Sequence, residues 1–410
     1  MGEVRQKHRV VIVGGGFGGI EATKQLAKFS NEFEITLVSD KTHFEYTAAL
    51  YRVVTGRSPL EVCIPLSTIF KDRAVNIVQD TIEIIYPKTK QLLGQNGSKY
   101  RYDSLILALG SQNAYFNIPG LEEHAFTLKS ITDALRLKRH LHELFIEAAV
   151  DLKKGQRRPI HLVLVGGGAT GVELAGELSV YTRKMAGYHR LNPSTIIIDL
   201  FETSDRLLKT LNKNVSNLAF QRLHRLGVNI FLNTPILKNR IEAAYLADMK
   251  LKTKTLIWTA GVMTNQLYQK IKGLTFNSSG RVLVDLSLKA KDVQDVYVIG
   301  DAVASAYSGM AQSAVYDGAF VAECLRRKLH GRLLRAYRPD QSIYAIPIGP
   351  GWAAVIIGKW LLTGRLGWIL RRLADFKYFL SILPVFSALI VFLDGYRLSE
   401  SCPICSKLQE

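Results

Sequence analysis

Cysteine is scarce in this chain, with four residues in 410: Cys63, Cys324, Cys402 and Cys405. So few, so scattered, cannot form a disulfide framework, and Cys63 and Cys324 read as small buried apolar residues rather than nucleophiles. The Cys402/Cys405 pair lacks the two further ligands of a closed metal site, so no metal is expected. Acidic residues are also in short supply, 35 against 53 basic ones, leaving a formal charge of +18. That excess asks for an anionic partner, and no nucleic-acid module is recognisable, so no nucleic acid is expected. Long apolar runs are missing. The start, Met1 to Arg9, is polar and basic without a secretory signal, which places the expected location on the cytoplasmic side. The uncharged stretch Tyr378 to Leu393 is about sixteen residues, short of the roughly twenty of a straight helical span, and Pro384 interrupts it.

What is present is ample for folding. An apolar fraction of 48% and 410 residues predict two or three packed units. The apolar run Val10 to Val13 leads into Gly14, Gly16, Phe17, Gly18 and Gly19, matching G-x-G-x-x-G. A helical pattern follows, and then a second strand ending near Ser39 and Asp40. In such a unit the glycines allow a tight turn and close approach of backbone to a pyrophosphate, which the helix N-terminus attracts. Asp40 is placed to meet a ribose hydroxyl, although the usual acidic position falls one residue earlier, at Ser39.

The pattern recurs after Ile160 to Val165, with Gly166, Gly168, Ala169, Thr170 and Gly171. Its next strand is read as Ser194 to Phe201 and ends at Glu202. An acid there accepts from a ribose and repels a 2′-phosphate, favouring NADH, with the nearby Arg206 arguing the other way. Strand-to-small-residue segments at Tyr102 to Ser111 and Thr255 to Val262, and a late Gly300-Asp301, complete the order.

Together these segments resemble flavoproteins of the pyridine-nucleotide–disulfide oxidoreductase type. The resemblance implies an α/β fold of two Rossmann-like dinucleotide-binding domains, the NAD domain inserted in the FAD domain. The expected boundaries are 1–115 and 265–330 for FAD and 116–264 for NAD, with an amphipathic membrane-associated region over 331–410. It implies noncovalent FAD held by Gly14, Gly16, Phe17, Gly18, Gly19, Ser39, Asp40, Lys41, Thr47, Ala108, Gly110, Gly300, Asp301 and Ala311. NADH would lie on Gly166, Gly168, Ala169, Thr170, Gly171, Glu173, Glu202, Ala260 and Gly261.

The region after Asp40 has no redox cysteine pair. Instead, Leu50 to Gly56 and Ala311-Gln312-Ser313-Ala314 are similar to segments of one branch, the type II NADH dehydrogenases. That likeness implies electron transfer from NADH through flavin to a membrane quinone, without proton pumping. Gln312 would offer its amide to a quinone carbonyl, with Ala311, Ala314 and Tyr316 beside it. Tyr316 stands where that branch commonly has a second glutamine. Glu173 would orient the nicotinamide or deliver a proton. The alternatives are a soluble reductase of a ferredoxin- or rubredoxin-type carrier and a redox sensor; the second glycine turn counts against a sulfide:quinone oxidoreductase.

The stretch Cys324 to Arg338 holds six Lys/Arg and no acid. Further on, Trp352, Trp360 and Trp368 accompany Lys359, Arg365, Arg371, Arg372 and Lys377. Tryptophans and cations beside a short apolar segment suit a helix lying in the headgroup region of an anionic lipid surface. A buried terminal helix or a homodimer interface would use the same apolar segment.

Overall fold

The computed structural model describes residues 6–246, 249–339 and 343–397. Along the chain, β1 (His8–Val13) turns into α1 (Phe17–Leu26), followed by β2 (Phe33–Ser39), α2 (Leu50–Val54), β3 (Asn76–Gln79) and β4 (Ser104–Leu107). Next come β5 (Phe126–Thr127), α3 (Ile131–Lys153), β6 (Ile160–Val165), α4 (Ala169–Tyr188), β7 (Ile196–Phe201), β8 (Asn229–Phe231) and β9 (Thr255–Trp258). The last part carries β10 (Val296–Val298), α5 (Ala311–Leu329), β11 (Tyr344–Pro347), β12 (Ala353–Ile357), β13 (Trp360–Leu362), α6 (Gly364–Ile382) and α7 (Val385–Asp394).

Two compact units result. The first takes the chain up to Glu45, then Cys63–Gln112 and the segment from Val262 to α5 and the loop after it. The second takes Tyr46–Val62, Asn113–Gly261 and the described residues from Ile343.

Each unit is built on a five-stranded parallel sheet, in the order β10-β4-β1-β2-β3 in the first and β5-β9-β6-β7-β8 in the second. Strands covered on both faces must be apolar throughout, and Val10 to Val13 and Leu162 to Val165 are all buried. Register then aligns the strand ends. Val13 pairs with Val38 and Leu107, so Gly14, Ser39 and Ala108 emerge at one edge. Val165 pairs with Phe201 and Trp258, so Gly166, Glu202 and Thr259 emerge together in the second unit.

Two local features differ from the sequence reading, and a third follows it. Ser194 and Thr195 are not strand: Pro193 follows Asn192, whose side chain accepts from the Ser194 amide at 3.0 Å, and a short 3-10 turn forms before β7. Residues 344–362 form a small antiparallel sheet that no pattern announced. Pro384 breaks the uncharged stretch as its missing amide demands, separating α6 from α7. Among the described residues no helix is long and apolar enough to cross a membrane.

Candidate functional site

In the first unit the glycine turn is dictated from within at two of its positions. Gly14 has φ +113°, and a Cβ on it would sit 2.3 Å from the Ala108 carbonyl oxygen. A Cβ on Gly19 would meet the Gly14 oxygen at 1.9 Å. Gly16 differs, because nothing lies within 4 Å of where its Cβ would be. It is also the N-cap of α1, with no side-chain cap and no acid in the first turn. By contrast, α3 closes its start with a reciprocal Ser130/Asp133 capping box. Leaving the first amides of a helix uncapped beside open space is what a phosphate needs.

The other candidate FAD residues of this unit gather at the same strand edge. Ser39 is buried at the end of β2, its hydroxyl accepting from the Lys41 amide at 3.2 Å, while Asp40 points to solvent. Lys41 pairs with Glu45 at 2.9 Å. Gly110 has φ +64°, and Ser111 beyond it donates to Asp301. Phe17 packs edge-on against Phe44, 5.0 Å between centroids. Thr47 belongs to the Tyr46–Val62 segment of the second unit.

Helix α5 reaches this edge through glycine. A Cβ on Gly318 would lie 2.4 Å from the Gly18 carbonyl oxygen, so α1 and α5 cross in contact. The crossing sets Ala314 against Gly18 and Gly300. Asp317, which sequence reasoning passed over, is buried and accepts from the Gly300 amide at 2.9 Å and the Tyr337 hydroxyl at 2.5 Å. Burial raises its carboxyl to about 6 despite those donors. Ala311 begins α5, and Gln312 lies exposed in its first turn. Tyr316 donates its hydroxyl to the Arg338 carbonyl at 2.9 Å.

The second unit repeats the turn. Gly166 has φ +118° with the Ala260 backbone 2.7 Å from a would-be Cβ, and a Cβ on Gly171 would meet the Gly166 oxygen at 1.8 Å. Gly168 again faces open space and caps α4 without a side-chain partner. Ala169 and Thr170, which follow it, are exposed. Here the acid is tied into the turn: Glu202 accepts from the Gly167 amide at 2.6 Å and the Ser204 amide at 2.7 Å. Burial works to raise its carboxyl, but these amides outweigh it and hold it below the usual range. A pocket of about 170 Å³, walled by Phe116, Ile118 and Trp258, opens beside Glu202, Gly166 and Ala260. The Gly261 carbonyl accepts from the Ala114 amide at 3.1 Å, and Phe116 closes on Gly261. Arg206 is occupied by the Leu211 and Lys209 carbonyls and the Ser216 hydroxyl.

Glu173 and Glu177 lie one turn apart on α4. Both are half-buried. Burial pushes Glu173 up to about 8, against the pull of Arg371 and Arg52, and Glu177 up to about 6. The arginines belong to a buried ion network within this unit. Arg52 bonds Glu61 at 2.7 Å and Asp375 at 2.8 Å, and Tyr46 donates to Asp375 at 2.6 Å. Arg371 also holds Asp375 and donates to the Ala48 carbonyl at 3.0 Å, while Arg372 reaches Glu61. Arg371 and Arg372 were expected to face lipid. They face inward instead, because Asp375, three and four residues on, meets them on the buried side of α6.

Neither described cysteine is set up as a nucleophile. Cys324 is buried with its thiol raised to about 11 by desolvation, and Cys63 is raised as well. The Cys402/Cys405 pair lies outside the described residues.

The Type II NADH:quinone oxidoreductase of Staphylococcus haemolyticus (strain JCSC1435) is 26% identical over 387 residues, covering 90% of this chain and 95% of that protein. The Type II NADH:quinone oxidoreductase Ndh of Mycobacterium tuberculosis (strain ATCC 25618 / H37Rv) is 28% identical over 418 residues, covering 96% and 89%. The fold matches that of NDH2 from Plasmodium falciparum, solved in complex with NADH, with a TM-score of 0.84 and 18% identity over 96% of this chain and 99% of that one. The profile of the pyridine nucleotide-disulphide oxidoreductases matches residues 8–318, and the chain belongs to that family.

Proposed function

We infer that the protein is an NADH:quinone oxidoreductase that carries FAD in its first unit and takes NADH in its second. The observation that carries this reading is the pair of glycine turns, each ending in an uncapped helix with open space at its middle glycine. FAD held by the first unit would supply the two-electron redox chemistry by which NADH, a proton and a quinone give NAD⁺ and quinol.

The protein's own groups bind, orient and hold protons. Gly14, Gly16, Gly18 and Gly19 let backbone approach the FAD pyrophosphate, and Asp301, which accepts from Ser111, would contact the ribityl or pyrophosphate part. Glu202 remains ionised and keeps lone pairs for a ribose. Arg206 is occupied by carbonyls elsewhere, which supports NADH over NADPH. Glu173 holds a proton at neutral pH, with Arg371 and Arg52 favouring its release, and orients the nicotinamide or delivers a proton. Gln312 and Ala311 make the quinone contact, while Ala314, expected beside them, is buried against Gly18 and Gly300.

The protein attaches to the cytoplasmic face of a membrane through α6 and α7, and this supplies the lipid-soluble acceptor. Leu366, Ile369 and Leu373 of α6 and Phe386 and Ile390 of α7 are exposed on their outer faces, Phe386 at 83%. Lys359, Arg365 and Lys377 supply the cations. A soluble carrier reductase has no use for such a face, and pairing of two copies through it would show as a dimer by light scattering. Anaerobic NADH should bleach the flavin, and a quinone analogue should restore its colour within the turnover time. Bleaching without reoxidation would remove the quinone assignment and leave the family intact.

A further inference from the structure

The loop that follows α5 in the first unit is pinned yet displays its apolar side chains to water. The Arg332 amide donates to the Arg327 carbonyl at 2.8 Å, and Arg327 donates to the Leu333 carbonyl at 3.2 Å. At the far end, the Tyr337 amide reaches the Leu286 carbonyl at 2.7 Å and the Tyr316 hydroxyl holds Arg338. Between these anchors Leu333 is 90% exposed, the highest of the large apolar side chains among the described residues, and Leu334 is 45% exposed. A held loop that keeps leucines in water is unfavourable until something apolar covers them.

The charges around the tip decide what that is. At the end of α5, Arg326 and Arg327 are neutralised by Glu323 and Lys328 by Asp295. Arg332, Arg335 and Arg338 have no carboxylate within ion-pair distance among the described residues. We propose that residues 331–338 form a second membrane contact, in which Leu333 and Leu334 enter the headgroup boundary and Arg332 and Arg335 bind anionic lipid. A second copy of the chain is disfavoured as the occupant, since two molecules of formal charge +18 presenting the same cationic loop repel. The proposal deepens the membrane reading above and rests on it only in requiring a bilayer at this enzyme's surface.

The test is co-sedimentation of the full flavin-loaded protein with vesicles of phosphatidylcholine alone or mixed with phosphatidylglycerol. Leu333→Ser with Leu334→Ser should weaken binding to the mixed vesicles about tenfold. Arg332→Glu with Arg335→Glu should do at least as much on the mixed vesicles only, and should lower the slope of binding against salt. NADH oxidation with a water-soluble quinone analogue should be unchanged, as should flavin content. Wild-type binding and salt slope in both loop variants would overturn the proposal, even if Phe386→Ser with Ile390→Ser releases the protein. Loss in the loop variants with no effect of Phe386→Ser and Ile390→Ser would support the loop and remove the helix reading. A change of oligomeric state with vesicle binding intact would also overturn it, in favour of self-association.

Discussion

The two glycine turns share a backbone and differ in their surroundings. In both, the first and third glycines are compelled by backbone atoms that a Cβ would strike, and the middle glycine faces open space. In the first unit the neighbouring acid, Asp40, is solvent-exposed and the buried position at the strand end is Ser39. In the second, Glu202 is fastened to the turn by the Gly167 amide. The buried acids differ likewise. Asp317 is satisfied by two neutral donors, whereas Asp375 and Glu61 are held by three arginines. Around these acids the first unit therefore uses backbone and neutral donors, and the second uses charge.

The largest expected effects separate the two turns. Gly19→Val should give colourless protein, because its side chain must displace the Gly14 carbonyl. Gly171→Val should stay yellow while the half-saturating NADH concentration rises at least about a hundredfold. Flavin absorbance and an NADH titration read both, and equal flavin loss in the two variants would break the comparison. Next is Arg52→Met, which leaves Glu61 and Asp375 under-compensated and should cost about 3–5 kcal/mol in denaturant unfolding. Asp317→Asn keeps an acceptor for Gly300 and should cost about 1 kcal/mol or less. Similar losses for the two would erase the charged-versus-neutral contrast.

A smaller change is expected for Glu202→Ala: about tenfold weaker NADH use, with NADPH use little altered. A parallel loss for both nucleotides would show that Glu202 shapes the turn rather than reading the ribose. The smallest effect is the pH dependence at Glu173. Its carboxyl is raised from an ordinary value of 4.5 to about 8, so the folded state keeps a proton that the unfolded chain releases. The associated stability is complete below the ordinary value and is lost as pH climbs through about 8. Melting temperatures between about pH 5 and 8 should fall more steeply for wild type than for Glu173→Gln. Parallel curves would place Glu173 outside the buried charge cluster.

Much of the site was legible in the chain because its signals are local. Each turn directly follows its strand, and Glu202 comes within about forty residues of the second turn, so the geometry follows from glycine and strand register alone. Asp317 and Glu177 were missed although each stood in view: Glu177 is one helical turn beyond Glu173, and Asp317 lies inside the segment read for a quinone. What marks them is burial, which a single sequence does not display. Arg371 and Arg372 were misplaced for the same reason, since an Arg-Arg pair beside tryptophans looks alike whether it faces lipid or an acid from another segment.

The residues by themselves determined the two dinucleotide modules, their order and the break at Pro384, because each depends on backbone freedom, strand periodicity or a missing amide within a short stretch. Only the tertiary structure decided which charges are buried and which acids keep their protons. Glu61 and Asp375 are over three hundred residues apart, and they share one set of arginines only because folding brings Tyr46–Val62 and α6 into the same unit.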